Sequence, residues 1–380
     1  ATIVIFVFSI FTNEFTKRFQ NKKRMLRQLV LLTHLPMLLF VFFRANYQNL
    51  APLWIFQIVF QLIFLVQFLT RPVIYPVITS MLKQNYGVGN FGKLYGYSIT
   101  FNRIAIMLAA FTFGVLLDSD PFAFVWVYPI LAGMGILAVF TLSSIPYTAP
   151  EVNFEKNFLA AIRISFSEMV RIIRENKAFR DYEIGFMIYG IAWMVTMALV
   201  TIFFERELKL NYTSVATYKN AFNILTIILL PFVSKLVDRY DPRKFAAFTF
   251  SAMMLHTVFM ALTFWFPSYF YFGDIKVYHM LILSYIAFGA FQSAMTLAWN
   301  IGSAYFCPPA EVTHYQSVHL TMVGLRALFA PLIGVYLLSY MNYGFVFSLS
   351  AILLLAAMFF NLWSVRNTAL SGAAIKKMPS

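Results

Sequence analysis

The sequence predicts an all-α integral membrane protein made of two parallel, pseudo-symmetric helical halves. Three observations carry this: an apolar composition, a series of span-length apolar runs, and a repeat at an offset of about 220 residues. Of 380 residues, 61% are hydrophobic and 12% charged, with 44 Phe and 21 Tyr and a mean hydropathy of +0.73. Soluble domains are about half apolar and about a quarter charged. A soluble enzyme, a disordered chain and a disulfide scaffold are therefore excluded. The single cysteine, Cys307, has no partner for an internal disulfide, and no metal-ligand spacing or nucleophile motif occurs. Neither a metal nor a cofactor is expected.

A bilayer core takes about 20 apolar residues per helix. One partial run, 1–11, and ten full ones fit that length: 28–43, 52–81, 97–117, 122–142, 182–204, 216–237, 245–266, 277–306, 316–339 and 344–365. Eleven spans are thus expected. The net charge of +14 reads as orientation rather than as a nucleic-acid surface. Alternate loops hold 21 of the 29 basic residues, among them Lys17, Arg18, Lys22, Arg239, Arg243 and Lys244. The other loops hold 5, and Arg71, Arg103 and Arg326 fall inside spans. Positive loops stay inside, so they and the C-terminus are expected to be cytoplasmic.

Residues 143–181 interrupt the apolar pattern. Phe158, Ile162, Phe166, Met169 and Ile173 share one helical face, while Lys156, Arg163, Arg171 and Arg174 point elsewhere. The segment reads as an amphipathic helix on the inner membrane surface. It separates an N-terminal bundle (1–142) from a C-terminal bundle (182–367), with a tail over 368–380.

The two halves repeat. Tyr95 and Tyr315, and Gly114-Val115 and Gly334-Val335, lie 220 residues apart. Phe124-Val125-Trp126 and Phe345-Val346-Phe347, and Arg18 and Arg239, lie 221 apart. Copies of equal orientation are one known transporter design. The same offset places one helix and part of another before Ala1, so a twelve-span protein lacking its first helix is expected.

Between 216–237 and 245–266 the chain reads Ser234-Lys235-Leu236-Val237-Asp238-Arg239-Tyr240-Asp241-Pro242-Arg243-Lys244. This resembles the G-x-L-x-D-R-x-G-x-R-K loop of the major facilitator superfamily, with Asp241 in place of the second glycine. The first-half counterpart, Glu14 to Arg24, is degenerate, with Lys17 where the Asp would stand. The resemblance runs the whole chain, from the second helix of twelve to the last. It implies the superfamily fold, with loops that latch the cytoplasmic side closed. By pseudo-symmetry Asp238 is expected to meet the start of the fifth helix near Ser98 to Arg103, where the helix dipole favours an anion. The antiporter-associated G-P-x-x-G is absent from the fifth helix, which has Ala110 to Gly114. The eleventh instead carries Ala330-Pro331-Leu332-Ile333-Gly334.

Polar residues inside spans are the functional candidates. Gln57, Gln61, Gln67 and Arg71 fall within about 120° of one helical face of the fourth helix. Gln292, Thr296, Trp299, Asn300 and Ser303 share a face of the tenth. Tyr182, Tyr189, Trp193 and Thr196 share one of the seventh. In the family these helices line the central cavity. Arg103 and Arg326 occupy nearly symmetric places, and His319 shares the face of Arg326. The forked guanidinium suits planar anions, so Arg71, Arg103 and Arg326 point to an anionic or multiply hydroxylated solute. Glu183 and Glu205 are the carboxylates nearest the membrane interior, and His34, His256 and His319 titrate near neutrality when unperturbed.

The expected function is a monomeric secondary transporter moving one small solute by alternating access in a bacterial inner membrane. Proton or sodium coupling stays open. A non-transporting receptor or inactive paralogue on the same fold is the alternative. A membrane-embedded transferase ranks below both, since no Asp, Glu or His cluster supplies its chemistry.

Overall fold

The computed structural model describes residues 16, 19, 21–42, 53–86, 90–120, 122–148, 158–273 and 275–368. The partial run 1–11 and the latch residues Lys17 and Arg18 lie outside the described residues.

Helix α1 (Lys22–His34) opens on Asn21, whose side chain accepts the Arg24 amide, and continues as a 3-10 turn over Leu35–Phe42. Together they make a span of 21 residues, longer at its N-terminal end than the apolar run 28–43. Helix α2 (Leu53–Asn85) bends by 40° between Gln57–Arg71 and Val73–Asn85. Pro72 stands at the break, where it has no N–H for the helical ladder. Helices α3 (Phe91–Ser119) and α4 (Phe124–Leu142) complete the first half.

The amphipathic helix of the connecting segment is α5 (Phe158–Glu175). It buries Met169 and exposes Arg163, Phe166, Arg171 and Arg174. Asn176 then caps α6 (Lys177–Ile202), which ends in a π turn over Phe203–Glu207. Helices α7 (Tyr212–Val237) and α8 (Pro242–Trp265) follow. A hairpin of β1 (Tyr269–Phe272) and β2 (Ile275–Tyr278) leads into α9 (His279–Ile301), extended by a 3-10 turn at Gly302–Phe306. Its register pairs Phe272 with Ile275, and Gly273 takes φ 58°, which glycine accepts without strain. Strand β1 falls between the apolar runs 245–266 and 277–306, and its four aromatic side chains are all exposed. Helices α10 (Val312–Tyr340) and α11 (Tyr343–Asn367) end the fold.

Among the described residues, eight helices are long and apolar enough to cross a membrane, or nine if the bent α2 counts as one span. In the second half α8 packs on α9 and α11, and α6 on α10 and α11. Its core is aromatic: Phe186, Tyr189, Phe250 and Phe291 lie ring against ring, with Tyr189 stacked on Phe250 at 4.8 Å. The halves meet where α3 packs on α7 and α2 on α10.

Candidate functional site: a cavity between the halves and its closed end

The junction of α3 with α7 is made possible by two small residues one turn apart. A Cβ on Gly92 would overlap the Val237 side chain, and one on Gly96 would overlap Ser234. A small-xxx-small pair lets two helix backbones approach closely. That approach brings Asp238, at the end of α7, onto the first turn of α3. Its Oδ1 accepts the Gly92 amide and its Oδ2 the Lys93 amide, each at 2.9 Å, while the Tyr305 hydroxyl donates to Oδ1 at 2.8 Å. The first amides of a helix have no intrahelical acceptor, and its dipole favours an anion there. Asp238 therefore meets Gly92 and Lys93 rather than the expected Ser98 to Arg103. The reason is that α3 begins at Phe91, before its apolar run, and only the first amides are available to a cap.

Further bonds tie the same end. Lys83 Nζ donates to the carbonyls of Ala304 and Cys307, the latter at 2.7 Å. Ser80 Oγ donates to the Pro309 carbonyl at 3.1 Å. Cys307 is buried beneath these contacts, and burial pushes its thiol up to about 12, with Lys83 pulling the other way. The sequence pointed to neither Ser80, Lys83 nor Tyr305. Gly92 and Gly96 carried a signal in their four-residue spacing.

The rest of the latch loop folds back into the second half. Asp241 caps α8 through the Arg243 amide at 2.8 Å, and its carboxylate takes Nε and Nη2 of the buried Arg243 at 3.1 and 2.8 Å. Arg243 Nη1 reaches the carbonyl and hydroxyl of Ser364 on α11, and Ser364 Oγ donates to Asp181 Oδ2 at 2.7 Å. The departure from the family glycine at 241 thus provides both a helix cap and a counter-ion. Arg239 and Lys244 are exposed, and Lys22 donates to the Thr16 carbonyl.

On the far side of the Gly96–Ser234 contact the halves part around a cavity of about 1110 Å³. Tyr75 and Thr79 of α2, Tyr95, Ser98, Asn102 and Arg103 of α3, Asn220 and Asn223 of α7, and Thr296 and Asn300 of α9 line it. Arg103 is half-buried and donates through Nη2 to Thr296 Oγ1 at 2.7 Å. Along α7 the lining starts at Ile227, eleven positions or about 16 Å of helix from Asp238, and runs back to Asn220, while Thr79 and Tyr95 carry it on α2 and α3 to within two residues of Ser80 and Lys93.

Of the polar residues singled out inside the spans, Arg103, Thr296 and Asn300 line this cavity. Gln57, Gln61 and Arg71 are exposed on α2, and half-buried Gln67 donates to Met37 Sδ at 2.9 Å; the lining of the cavity does not include them. Trp193 stacks on Phe288, and half-buried Gln292 gives its carbonyl to the Thr296 hydroxyl. Tyr189, Trp299, His319 and Arg326 meet instead inside the second half. Arg326 is 1% exposed; its Nη1 donates to the Phe186 carbonyl, and its Cζ lies 5.7 Å from the ring centres of both Tyr189 and Trp299. His319 Nδ1 lies 2.9 Å from Oε1 of Glu183.

The sequence matches the Major Facilitator Superfamily over residues 1–275. The chain belongs to that superfamily. Among solved structures of Major Facilitator Superfamily folds, it superposes on the human organic anion transporter MFSD10 (TETRAN) with a TM-score of 0.62 at 11% identity, covering 95% of this chain and 83% of that one. The proton:xylose symporter XylE bound to 6-bromo-6-deoxy-D-glucose gives 0.61 at 11% identity over 95% and 84%. A double-Trp mutant of XylE gives 0.66 at 10% over 98% and 86%. At these identities the likeness is one of fold. No curated protein matches the sequence. The protein is a membrane transporter of this superfamily.

Proposed function

We propose that the protein carries one small polar solute per cycle by alternating access, and that the solute bears a negative charge or an array of hydroxyls. The observation that carries this reading is Arg103, a cation on the cavity wall among neutral hydrogen-bonding groups from both halves: Asn102, Asn220, Asn223, Thr296 and Asn300. A guanidinium with a ring of amides suits a carboxylate, a phosphate or a sugar. An organic anion transporter and a xylose symporter share the fold, and both solute classes fit such a wall.

The charge split of the loops supports assigning the Asp238 end to the cytoplasm. The conformation described is then outward-facing: Asp238, Lys83 and Ser80 join the halves below the cavity. Transport requires those bonds to break while the two bundles, divided by the 143–181 segment, rock about the site. The protein works as a monomer in a plasma membrane, of bacterial type, with the solute gradient or a coupled cation as its driving force.

Counterflow in proteoliposomes tests the reading, with labelled pentoses, hexoses, mono- and dicarboxylates and phosphate as the panel. Arg103→Ala is expected to reduce uptake of the transported solute about 10- to 100-fold, the worth of a charged hydrogen bond. Arg103→Lys should retain part of it. Unchanged uptake in Arg103→Ala removes the proposed recognition. Absence of counterflow for the whole panel favours the receptor or inactive-paralogue reading.

A further inference from the structure

Three ionisable side chains lie together inside the second half, away from the cavity lining. Glu183 of α6 is 2% exposed, and His319 and Arg326 of α10 are 1% exposed. Both carboxylate oxygens of Glu183 face His319 Nδ1, at 2.9 and 3.1 Å. That contact fixes the tautomer: Nδ1 carries the hydrogen and donates to the carboxylate, which leaves Nε2 with a free lone pair. Nε2 is buried and has no hydrogen-bond partner among the described residues, and neither does Arg326 Nε. A buried polar atom without a partner costs about 1–3 kcal/mol and calls for an explanation.

The surroundings explain it as a proton acceptor. With Glu183 ionised, Arg326 charged and His319 neutral, the cluster has no net charge, the least costly state in a low-dielectric interior. One proton arriving at Nε2 forms an N–H bond there and breaks an O–H bond of hydronium, releasing water. The product is an imidazolium held on Glu183, with the cluster at +1. The rings of Phe186 and Trp299 stand edge-on to the imidazole at 5.1 and 5.2 Å. The ionisable groups around the pair are Tyr182 and Tyr189 of α6 and Arg326 of α10. Helix α8 contributes Phe250, and α11 contributes Asn361, packed against Gly185. Helix α5 presents Glu168 to His314, five residues earlier on α10.

We propose that the Glu183–His319 pair binds one exchangeable proton, and that its arrival destabilises the conformation closed at the Asp238 end. This deepens the transporter reading and rests on it. The second cation appears seven residues from Arg326 on the same face of α10. Arg326 is wedged against α6, where a Cβ on Gly190 would overlap its guanidinium. It also shares Trp299 with the imidazole, and Trp299 adjoins Asn300 of the cavity wall. Repulsion between the two cations therefore acts on α10 and on its packing against α6 and against Trp299 of α9, the helix that lines the cavity through Thr296 and Asn300. A net charge of +1 is best tolerated where water reaches it, so protonation shifts the population away from the state that buries the pair at 1–2% exposure.

The proton itself is the probe. Tryptophan emission of the purified full protein, without solute, is titrated from about pH 5 to 8, the range in which histidine charge changes. A quenching step is expected on acidification, absent in His319→Gln and in Trp299→Phe. In parallel, maleimide labelling of Cys307 reads opening of the Asp238 end. The wild-type rate relative to His319→Gln at the same pH should rise about threefold or more from pH 8 to pH 6. An emission step that survives His319→Gln, or a labelling ratio flat with pH, overturns the proposal. Because emission is read without solute, that result leaves the transport reading standing. An intact step in a protein inert in counterflow keeps the proton site and removes transport instead.

Discussion

The carboxylate of Asp238 accepts the amide of Gly92 at 2.9 Å, joining the last turn of α7 to the first turn of α3 across 146 residues of sequence. The neighbouring Lys93 amide takes the second oxygen at the same distance. One carboxylate thus caps the other half's helix and joins the two halves.

Removing it should open that end. Charged hydrogen bonds are worth about 1.5–3 kcal/mol each, so Asp238→Ala shifts the closed–open balance by roughly 10-fold or more. Asp238→Asn keeps one acceptor and should give a smaller effect of the same sign. Maleimide labelling of Cys307, buried under this end, is the readout, with faster labelling expected in the order wild type, Asn, Ala. Labelling unchanged in Asp238→Ala would mean that Lys83 and Ser80 hold the end without it.

The glycine that permits the approach gives a second test. Gly96→Ala places a methyl into Ser234 and should push α3 from α7, again speeding Cys307 labelling. Ser234→Gly removes the atoms it strikes, so the double variant should recover most of the closed population. Failure of that rescue would show that position 96 acts through helix propensity rather than through contact.

Much of this was legible in the sequence, for identifiable reasons. Spans announce themselves by length and apolarity, and the face of Phe158 to Ile173 announced α5 by its 3.6-residue period. The Asp-Arg pair of the loop pointed to Asp238 as the residue that meets the fifth helix. Its partner was misplaced by about two turns, because the polar first turn of α3 lies outside the apolar run. His319 and Arg326 could be seen to share a face, since both are on one helix. Glu183 could not be assigned to them, because the pairing spans 136 residues and depends on α6 packing against α10. The α2 glutamines satisfied the same polar-face criterion as Asn300, yet only packing decides which stripe borders the cavity.

The Cys307 thiol predicts its own pH profile. Burial raises it from near 9 to about 12, so in the closed state almost no thiolate exists at pH 8. Native labelling should therefore lag that of the unfolded chain by far more at pH 9 than a simple exposure difference gives. The sign for stability follows from the raised value: the protonated thiol's contribution is complete below the unfolded value and is lost as pH rises towards 12. Thermal stability in detergent should then fall between about pH 9 and 11 more steeply in wild type than in Cys307→Ala. Equal slopes would show that the thiol ionises without resistance from its surroundings.

Asp241 makes the last case, because it departs from the family glycine. It caps α8 and neutralises Arg243, which is 1% exposed and otherwise bonded only to Ser364 among the described residues. Asp241→Gly restores the family residue and should nonetheless destabilise this protein. The lost cap costs about 1 kcal/mol and the stranded buried guanidinium about 3–5 kcal/mol. Asp241→Asn keeps the cap oxygen and loses the charge, so it should fall between. Arg243→Met with Asp241→Gly removes both charges and should recover part of the loss, since a buried ion pair replaced by apolar side chains is often neutral in effect. Thermal unfolding of the four proteins in one detergent checks the order. If Asp241→Gly melts with the wild type, the pair contributes only to the shape of the loop, and the buried Arg243 draws its compensation from Ser364 and Asp181 on α11 and α6.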